Sequence, residues 1–275
     1  MLYKIMLPGY EGRVAVVTGA ANGLGRALAG GLAARKCNLA LIDVDSSALE
    51  NVAQELTGRG IAVTDHRADV GSQQDLERVA IEIEKAHGTA HLLVNNAALS
   101  ASADFSTISG ADFERIVRVN FLGVVHGCRV FLPFLREHAE GQILNVSSCF
   151  AWLGYPGKTA YASSKAAIRA FSESLRLELA GHGVGVSVLY PGPMHTTLVH
   201  SGISDSQERR EREDRFLETR GVSPDRVACA VLDRLLANPS RILIGFDYRA
   251  LDLLARLSPG LAEQAMRLTA MRARF

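Results

Sequence analysis

The sequence predicts an α/β domain built on a doubly wound, parallel sheet of about seven strands with helices on both faces. Two observations carry that expectation. Short runs rich in β-branched residues alternate with longer stretches of helical period, and each short run is apolar almost throughout, as strands covered on both faces must be. The 275 residues, 48% hydrophobic and 21% charged, also suffice for one large core, so a single domain over 1–275 is expected.

In chain order, RVAVVTG is followed by a helix over 24–35, NLALID by one over 46–57, IAVTDH by one over 72–87, and HLLVNN by one over 111–137. QILNVSS leads to a helix over about 158–180, VGVSVLY to a charged helical stretch and a helix near 224–237, and RILIG closes the series. Strands joined through helices require right-handed crossovers, which gives a Rossmann-type arrangement whose ligand sits outside the carboxyl ends of the strands. Two segments break the rhythm. Residues 193–222 open on a Pro-Gly-Pro turn and run into QERREREDRFLETR; a substrate lid is expected there because the segment leaves a strand's carboxyl end, and a plain solvated helix is the competing reading. Residues 248–275 carry Leu251, Leu254, Leu257, Leu261 and Leu268 among arginines, a helical C-terminal extension suited to packing or to an oligomer surface rather than to a membrane surface.

Composition excludes several functions. With 30 basic and 29 acidic side chains the formal charge is +1, so no overall field attracts nucleic acid or a lipid surface, and a small ligand is the expected partner. Cys37, Cys128, Cys149 and Cys229 are scattered, which suggests neither a disulfide framework nor a metal site and fits a reducing, cytoplasmic setting. Lys4 interrupts the apolar opening, so no signal peptide is read, and no run of about 18 consecutive apolar residues predicts a membrane span.

The first strand ends in TGAANGLG, with Gly19, Gly23 and Gly25 opening a helix around Asn22 and Leu24. Such glycines permit a tight turn and bring backbone close to a pyrophosphate, which the helix N-terminus stabilises. Asp43 closes the second strand, where a carboxylate accepts hydrogen bonds from both hydroxyls of an adenosine ribose. A 2′-phosphate about 5 Å away would be repelled by roughly 3 kcal/mol at an effective dielectric near 20, so NAD is expected over NADP. Asp43 as a mere cap for the helix starting at Ser46 is the alternative.

TGAANGLG, LLVNNAA at 92–98, and YASSK at 161–165 with Ser148 thirteen residues before Tyr161 together resemble the classical short-chain dehydrogenase/reductase family, from about Arg13 to Thr196 and more loosely to Gly245. The resemblance implies Tyr161 as general acid or base, Lys165 as its electrostatic partner and holder of the nicotinamide ribose, Ser148 as the donor orienting the substrate oxygen, and Asn120 as the residue keeping a relay water near the lysine. It places Asp69 and Val70 beside the adenine, Asn96, Ala97 and Ala98 on the adenosine side, and Pro191, Gly192 and Thr196 over the nicotinamide end. Where the family usually has N-N-A-G this chain has Ala98 last; were positive φ required there, alanine would cost about 1 kcal/mol. The family also implies a homodimer or homotetramer through the helices at 111–137 and 158–180, whose apolar residues include Phe113, Ile116, Val117, Phe131 and Phe171.

The chemistry follows without the family. A phenol titrates near about 10, and an ammonium held close stabilises phenolate and lowers that value. Tyr161 could then take the proton of a secondary alcohol as hydride leaves its carbon for a nicotinamide ring. Trp152, Tyr155 and Met194, with Ser148 and Tyr161, outline an apolar substrate pocket, which leaves the alcohol's identity open. Cys149 reads as a packed residue and His195 as a structural one. The alternatives are an NADP-linked reductase of carbonyls or 3-oxoacyl thioesters, and a non-catalytic dinucleotide sensor of the same fold.

Overall fold

The computed structural model describes residues 9–138, 140–196, 198, 202–244 and 246–272. Seven parallel strands form the central sheet: β1 (Val14–Thr18), β2 (Asn38–Asp43), β3 (Val63–Arg67), β4 (Leu92–Asn95), β6 (Gly141–Val146), β7 (Val184–Tyr190) and β9 (Arg241–Leu243). They lie in the order β3-β2-β1-β4-β6-β7-β9, and every pair is parallel. The direction of winding reverses between β1 and β4, which opens a crevice at their carboxyl ends. All seven strands expected from the apolar runs are present.

Alternation along the inner strands builds two cores, whereas the edge strand β3 leaves Asp65 and Arg67 exposed. Ala15, Val17, Leu39 and Leu41 face one side with α1 (Gly23–Ala34), α2 (Ser46–Leu56) and α8 (Pro224–Leu235). Val16, Ala40 and Ile42 face the other with α3 (Gln73–His87), α5 (Gly123–Arg136) and α6 (Thr159–Glu178). Side chains of successive strand residues point to opposite faces, so a strand covered on both sides is apolar at nearly every position, and buried Gln142, Asn145 and Ser187 are hydrogen-bonded exceptions.

The helix expected over 111–137 is divided. It runs as α4 (Gly110–Val117), a π-helical turn at Arg118–Leu122, and α5, and the widened turn carries the fully buried Asn120. By length and composition Gly110–Arg136 could cross a bilayer, but Val124, Cys128, Phe131 and Leu135 are buried in the second core. Ile116 and Phe131 are fully buried within the chain and Phe171 stacks edge-on against Phe121 at 6.2 Å, so these residues serve its own packing.

Two short strands outside the expected set, β5 (Ala101–Ser102) and β8 (Ile203–Ser204), pair in parallel beside the main sheet. β8 leads into α7 (Gln207–Arg220), the charged stretch, which buries no whole residue. Its Ser206 N-cap accepts from Arg209 N at 3.2 Å, and Arg209 bonds Asp104 at 3.1 Å and lies 3.3 Å from Asp205. The expected lid segment is therefore fastened at β8 and along α7, while 197 and 199–201 lie outside the described residues. The C-terminal extension forms α9 (Phe246–Leu257) and α10 (Pro259–Arg272), with 273–275 outside the described residues. Arg241 of β9 holds α9 through Asp252 at 2.6 Å, whereas Leu253, Leu257, Leu261 and Leu268 are exposed.

Candidate active site

The glycine turn is shaped for close approach. Gly19 has φ +65°, and a Cβ there would lie 2.8 Å from the Ala97 Cα. On Gly25, at the start of α1, a Cβ would lie 2.6 Å from Asn96 Nδ2 and closer still to the Gly19 carbonyl oxygen. The Asn96 amide donates to the carbonyls of Thr18 and Gly19 at 3.0 and 3.1 Å, and the Thr18 hydroxyl accepts from the N–H groups of Asn96 and Ala97. Asn96 and Ala97 thus brace the turn. Asn22, the extended residue ahead of α1, gives the helix no side-chain cap, and Leu24 is buried. Across the turn, Thr196 Cγ2 stands 3.2 Å from where a Gly23 Cβ would be, so the segment after Pro191 and Gly192 arches back over the glycines.

Ala98 is free of the anticipated strain: Lys36 and Asn238 are the non-glycine positions with positive φ among the described residues. A methyl at position 98 meets no backbone penalty.

Asp43 lies at the open end of β2 against this turn. Its carboxylate accepts from Ala21 N at 3.0 Å and from Asp45 N at 3.1 Å. The cap of α2 is Asp45, which accepts from Ala48 N at 3.1 Å, so capping is not the role of Asp43. Arg67 stands opposite Asp43 in the β2–β3 register, and its Nε donates to the Val44 carbonyl at 3.4 Å. This cation was not foreseen, because it comes from the next strand. Asp69 accepts from Gly71 N at 2.8 Å, and the Val70 carbonyl meets His126 at 3.1 Å, which fixes the turn expected beside an adenine. A crevice with a glycine floor, a carboxylate at its rim and a strap above fits a dinucleotide.

Asn120, Ser148, Tyr161 and Lys165 converge at the carboxyl ends of β4 and β6. Asn120 is wholly engaged with protein: its amide oxygen accepts from Leu99 N at 2.7 Å, and its nitrogen donates to Leu99 O at 3.0 Å and to Ser164 Oγ at 3.1 Å. Ser148 is extended and accepts from Phe150 N at 3.3 Å, starting a short 3-10 turn at Cys149–Ala151. Lys165 is 1% exposed and donates to the Val146 carbonyl at 3.0 Å; its Nζ lies 5.7 Å from the centre of the Tyr161 ring.

Burial lowers the Lys165 pKa from the usual 10.5 to about 7. Burial also pushes the Tyr161 phenol above its ordinary value, with a hydrogen bond from Ser148 opposing the rise and the charges of Cys149 and Glu213 adding to it. In the chain alone desolvation therefore outweighs the effect expected of the ammonium. Both groups are driven toward their neutral forms.

The substrate side is arranged differently from the sequence outline. Trp152 packs at a tilt of 38° on Tyr190, centroids 4.4 Å apart, with the Arg241 guanidinium 5.1 Å from its ring. Phe150 instead stands edge-on to Tyr161 at 6.2 Å, and Tyr155 leans on Phe150 at 6.0 Å. Met194 is partly buried, packs on the first core and bridges to Val222. His195 bonds the Gly221 carbonyl, a structural tie between the strap and the end of α7. Lys158, Ser102 and Glu213, which no local signal joins, meet beside Tyr161.

A family model described as short chain dehydrogenase matches residues 13–207. The chain is 34% identical over 252 residues to SadH of Mycobacterium tuberculosis, named as an oxidoreductase, covering 90% of this chain and 91% of that one. A short-chain dehydrogenase/reductase from Burkholderia phymatum in complex with NAD superimposes with a TM-score of 0.83 at 29% identity, over 91% of this chain and 94% of that chain. An alcohol dehydrogenase from the archaeon Thermococcus sibiricus complexed with 5-hydroxy-NADP gives 0.73 at 28% identity, over 84% and 95%.

Proposed function

The chain belongs to the short-chain dehydrogenase family and is an oxidoreductase, and from that premise we propose that it interconverts a hydrophobic secondary alcohol and its ketone with NAD. The observation that carries the proposal is the convergence of Ser148, Tyr161 and Lys165 beside a glycine-floored crevice with Asp43 at its rim.

In this reading Gly19, Gly23 and Gly25 admit the pyrophosphate, Asp43 takes the adenosine ribose hydroxyls, and Lys165 reaches the nicotinamide ribose. A bound nicotinamide supplies the hydride acceptor or donor. Ser148 donates to the substrate oxygen and holds it within reach of the phenol, a positioning effect. Tyr161 takes the hydroxyl proton during oxidation and returns it during reduction. Oxidation leaves the carbinol carbon without its hydrogen and two electrons while the oxygen loses one proton, so the ketone balances.

Arg67 favours a second reading, an NADP-linked carbonyl reductase, since a guanidinium at the Val44 carbonyl offsets part of the repulsion between Asp43 and a 2′-phosphate. Phe150 and Tyr155 support an apolar substrate. A small-molecule substrate, a cytoplasmic setting and a homo-oligomer complete the proposal.

The test is a panel of secondary alcohols with NAD, followed by absorbance. Tyr161→Phe is expected to lower turnover by about 10²–10⁴-fold while NADH binding is retained. Undiminished turnover would reject the proton-transfer role.

A further inference from the structure

Lys158, the residue before α6, is 8% exposed although it carries an ammonium. Its Nζ donates to Ser102 Oγ of β5 and to Glu213 Oε1 of α7, and the Ser102 hydroxyl donates to Glu213 Oε2. The three side chains close a ring of hydrogen bonds that joins β5, the start of α6 and α7. Of the ion pair, the Lys158 side chain is 10% exposed and that of Glu213 21%. The Lys158 Nζ lies 6.0 Å from the Tyr161 ring centre, hardly farther than Lys165 at 5.7 Å.

Two lysine amines therefore flank the Tyr161 ring: burial drives Lys165 toward its neutral form, whereas Lys158 has a carboxylate partner that opposes the loss of its charge. The groups that face Tyr161 are Lys158 from the residue before its helix, Lys165 from the helix itself, the Ser148 hydroxyl and Cys149 from the turn after β6, and Glu213 from α7. Arg209 is close enough to act on Lys158 and is itself paired with Asp104 and Asp205.

We propose that Glu213 is a positioning residue for the Tyr161 chemistry: it cancels the charge of Lys158 beside the phenol, leaving Lys165 to act on it, and it ties α7 to the start of α6. The proposal rests on Tyr161 being the proton-transfer residue. A buried pair that sets local charge need not add stability, because desolvating both groups offsets their attraction. Its use lies in keeping the phenol from ionising before the substrate is in place. It also makes the acidity of Tyr161 depend on whether α7 is docked.

The test reads the phenol directly, in protein without substrate. Carbon NMR of tyrosine labelled at Cζ follows Tyr161, assigned by the signal lost in Tyr161→Phe, from about pH 6 to about pH 12. A unit charge about 6 Å away at an effective dielectric near 20 moves a pKa by up to about two units. Glu213→Gln, which removes the carboxylate charge that raises the phenol, is expected to bring the onset of phenolate down by about one to two pH units relative to the unaltered protein. Lys158→Met leaves Glu213 alone and should raise the onset, out of the window if need be. Lys158→Met/Glu213→Leu restores a net charge of zero and should behave as the unaltered protein does, and Glu213→Asp should match it as well.

A merely structural role would leave the double variant at least as perturbed as the worse single one. An onset in Glu213→Gln at or above that of the unaltered protein overturns the proposal, as does no onset in Glu213→Gln by about pH 12, or a double variant that follows a single one. Where Glu213→Gln fails to fold, Lys158→Met against the double variant carries the same comparison. Undiminished turnover in Tyr161→Phe would instead sink the reaction assignment and leave the charge measurement standing.

Discussion

Gly25 and Asp43 show how far single residues carry the cofactor reading. A methyl on Gly25 would press on the Gly19 carbonyl and on Asn96, both held by further hydrogen bonds, so nothing nearby can yield. Gly25→Ala is expected to weaken NADH binding by at least about tenfold and to destabilise the fold by about 1–3 kcal/mol, read by fluorescence titration and by urea unfolding. At the rim, Asp43→Asn removes the charge that would oppose a 2′-phosphate while keeping acceptor geometry for Ala21 N. The ratio of NADPH to NADH dissociation constants should fall by up to about a hundredfold in Asp43→Asn and rise in Arg67→Ala. An unchanged ratio in both variants would reject the role of this rim in cofactor choice. Asp43 was legible because it ends a strand soon after the glycine turn. Arg67 was not, because only the β2–β3 register brings it alongside.

At the scale of elements, the π-helical turn at Arg118–Leu122 is the clearest case of structure adding meaning to a residue named in advance. The widened turn faces Asn120 inward, where one amide satisfies both backbone groups of Leu99 and reaches Ser164 on α6. Asn120→Ala leaves the half-buried Leu99 backbone groups unmet and is expected to cost about 1–3 kcal/mol, with a fall in kcat because the loop after β4 and the helix bearing Tyr161 lose their common tie. Equal urea midpoints for both proteins would count against it. The periodicity of 111–137 gave a single helix, since hydrophobic pattern does not register one extra residue in a turn. The C-terminal extension depends on a similar tie. Arg241→Ala removes the partner of the buried Asp252, so α9 and α10 should become sensitive to limited proteolysis while the sheet remains protected.

Over the whole molecule, the parallel sheet is joined at its amino-terminal side by His91, just before β4, whose Nδ1 accepts from Val14 N of β1 at 3.1 Å. Its ring stacks on His138 at 4.2 Å. Burial, with the nearby charges of His138 and Arg13, lowers the His91 pKa from 6.5 to about 4. The unfolded chain binds the proton more readily between those values, so this contribution is present above about pH 6.5 and is lost as pH falls toward about 4. The urea midpoint should decline across that window, and His91→Gln should flatten the decline. The sequence by itself determined the seven strands, their helical crossovers, the glycine turn and the positions of Ser148, Tyr161 and Lys165, because two-sided burial and tight turns impose local patterns on residue type. Tertiary structure decided the β5–β8 pair, the widened turn under Asn120, the arrival of Arg67 at the rim and the meeting of Lys158 with Ser102 and Glu213. Those contacts join residues from separate parts of the chain, and no local periodicity encodes the distance that folding closes between them.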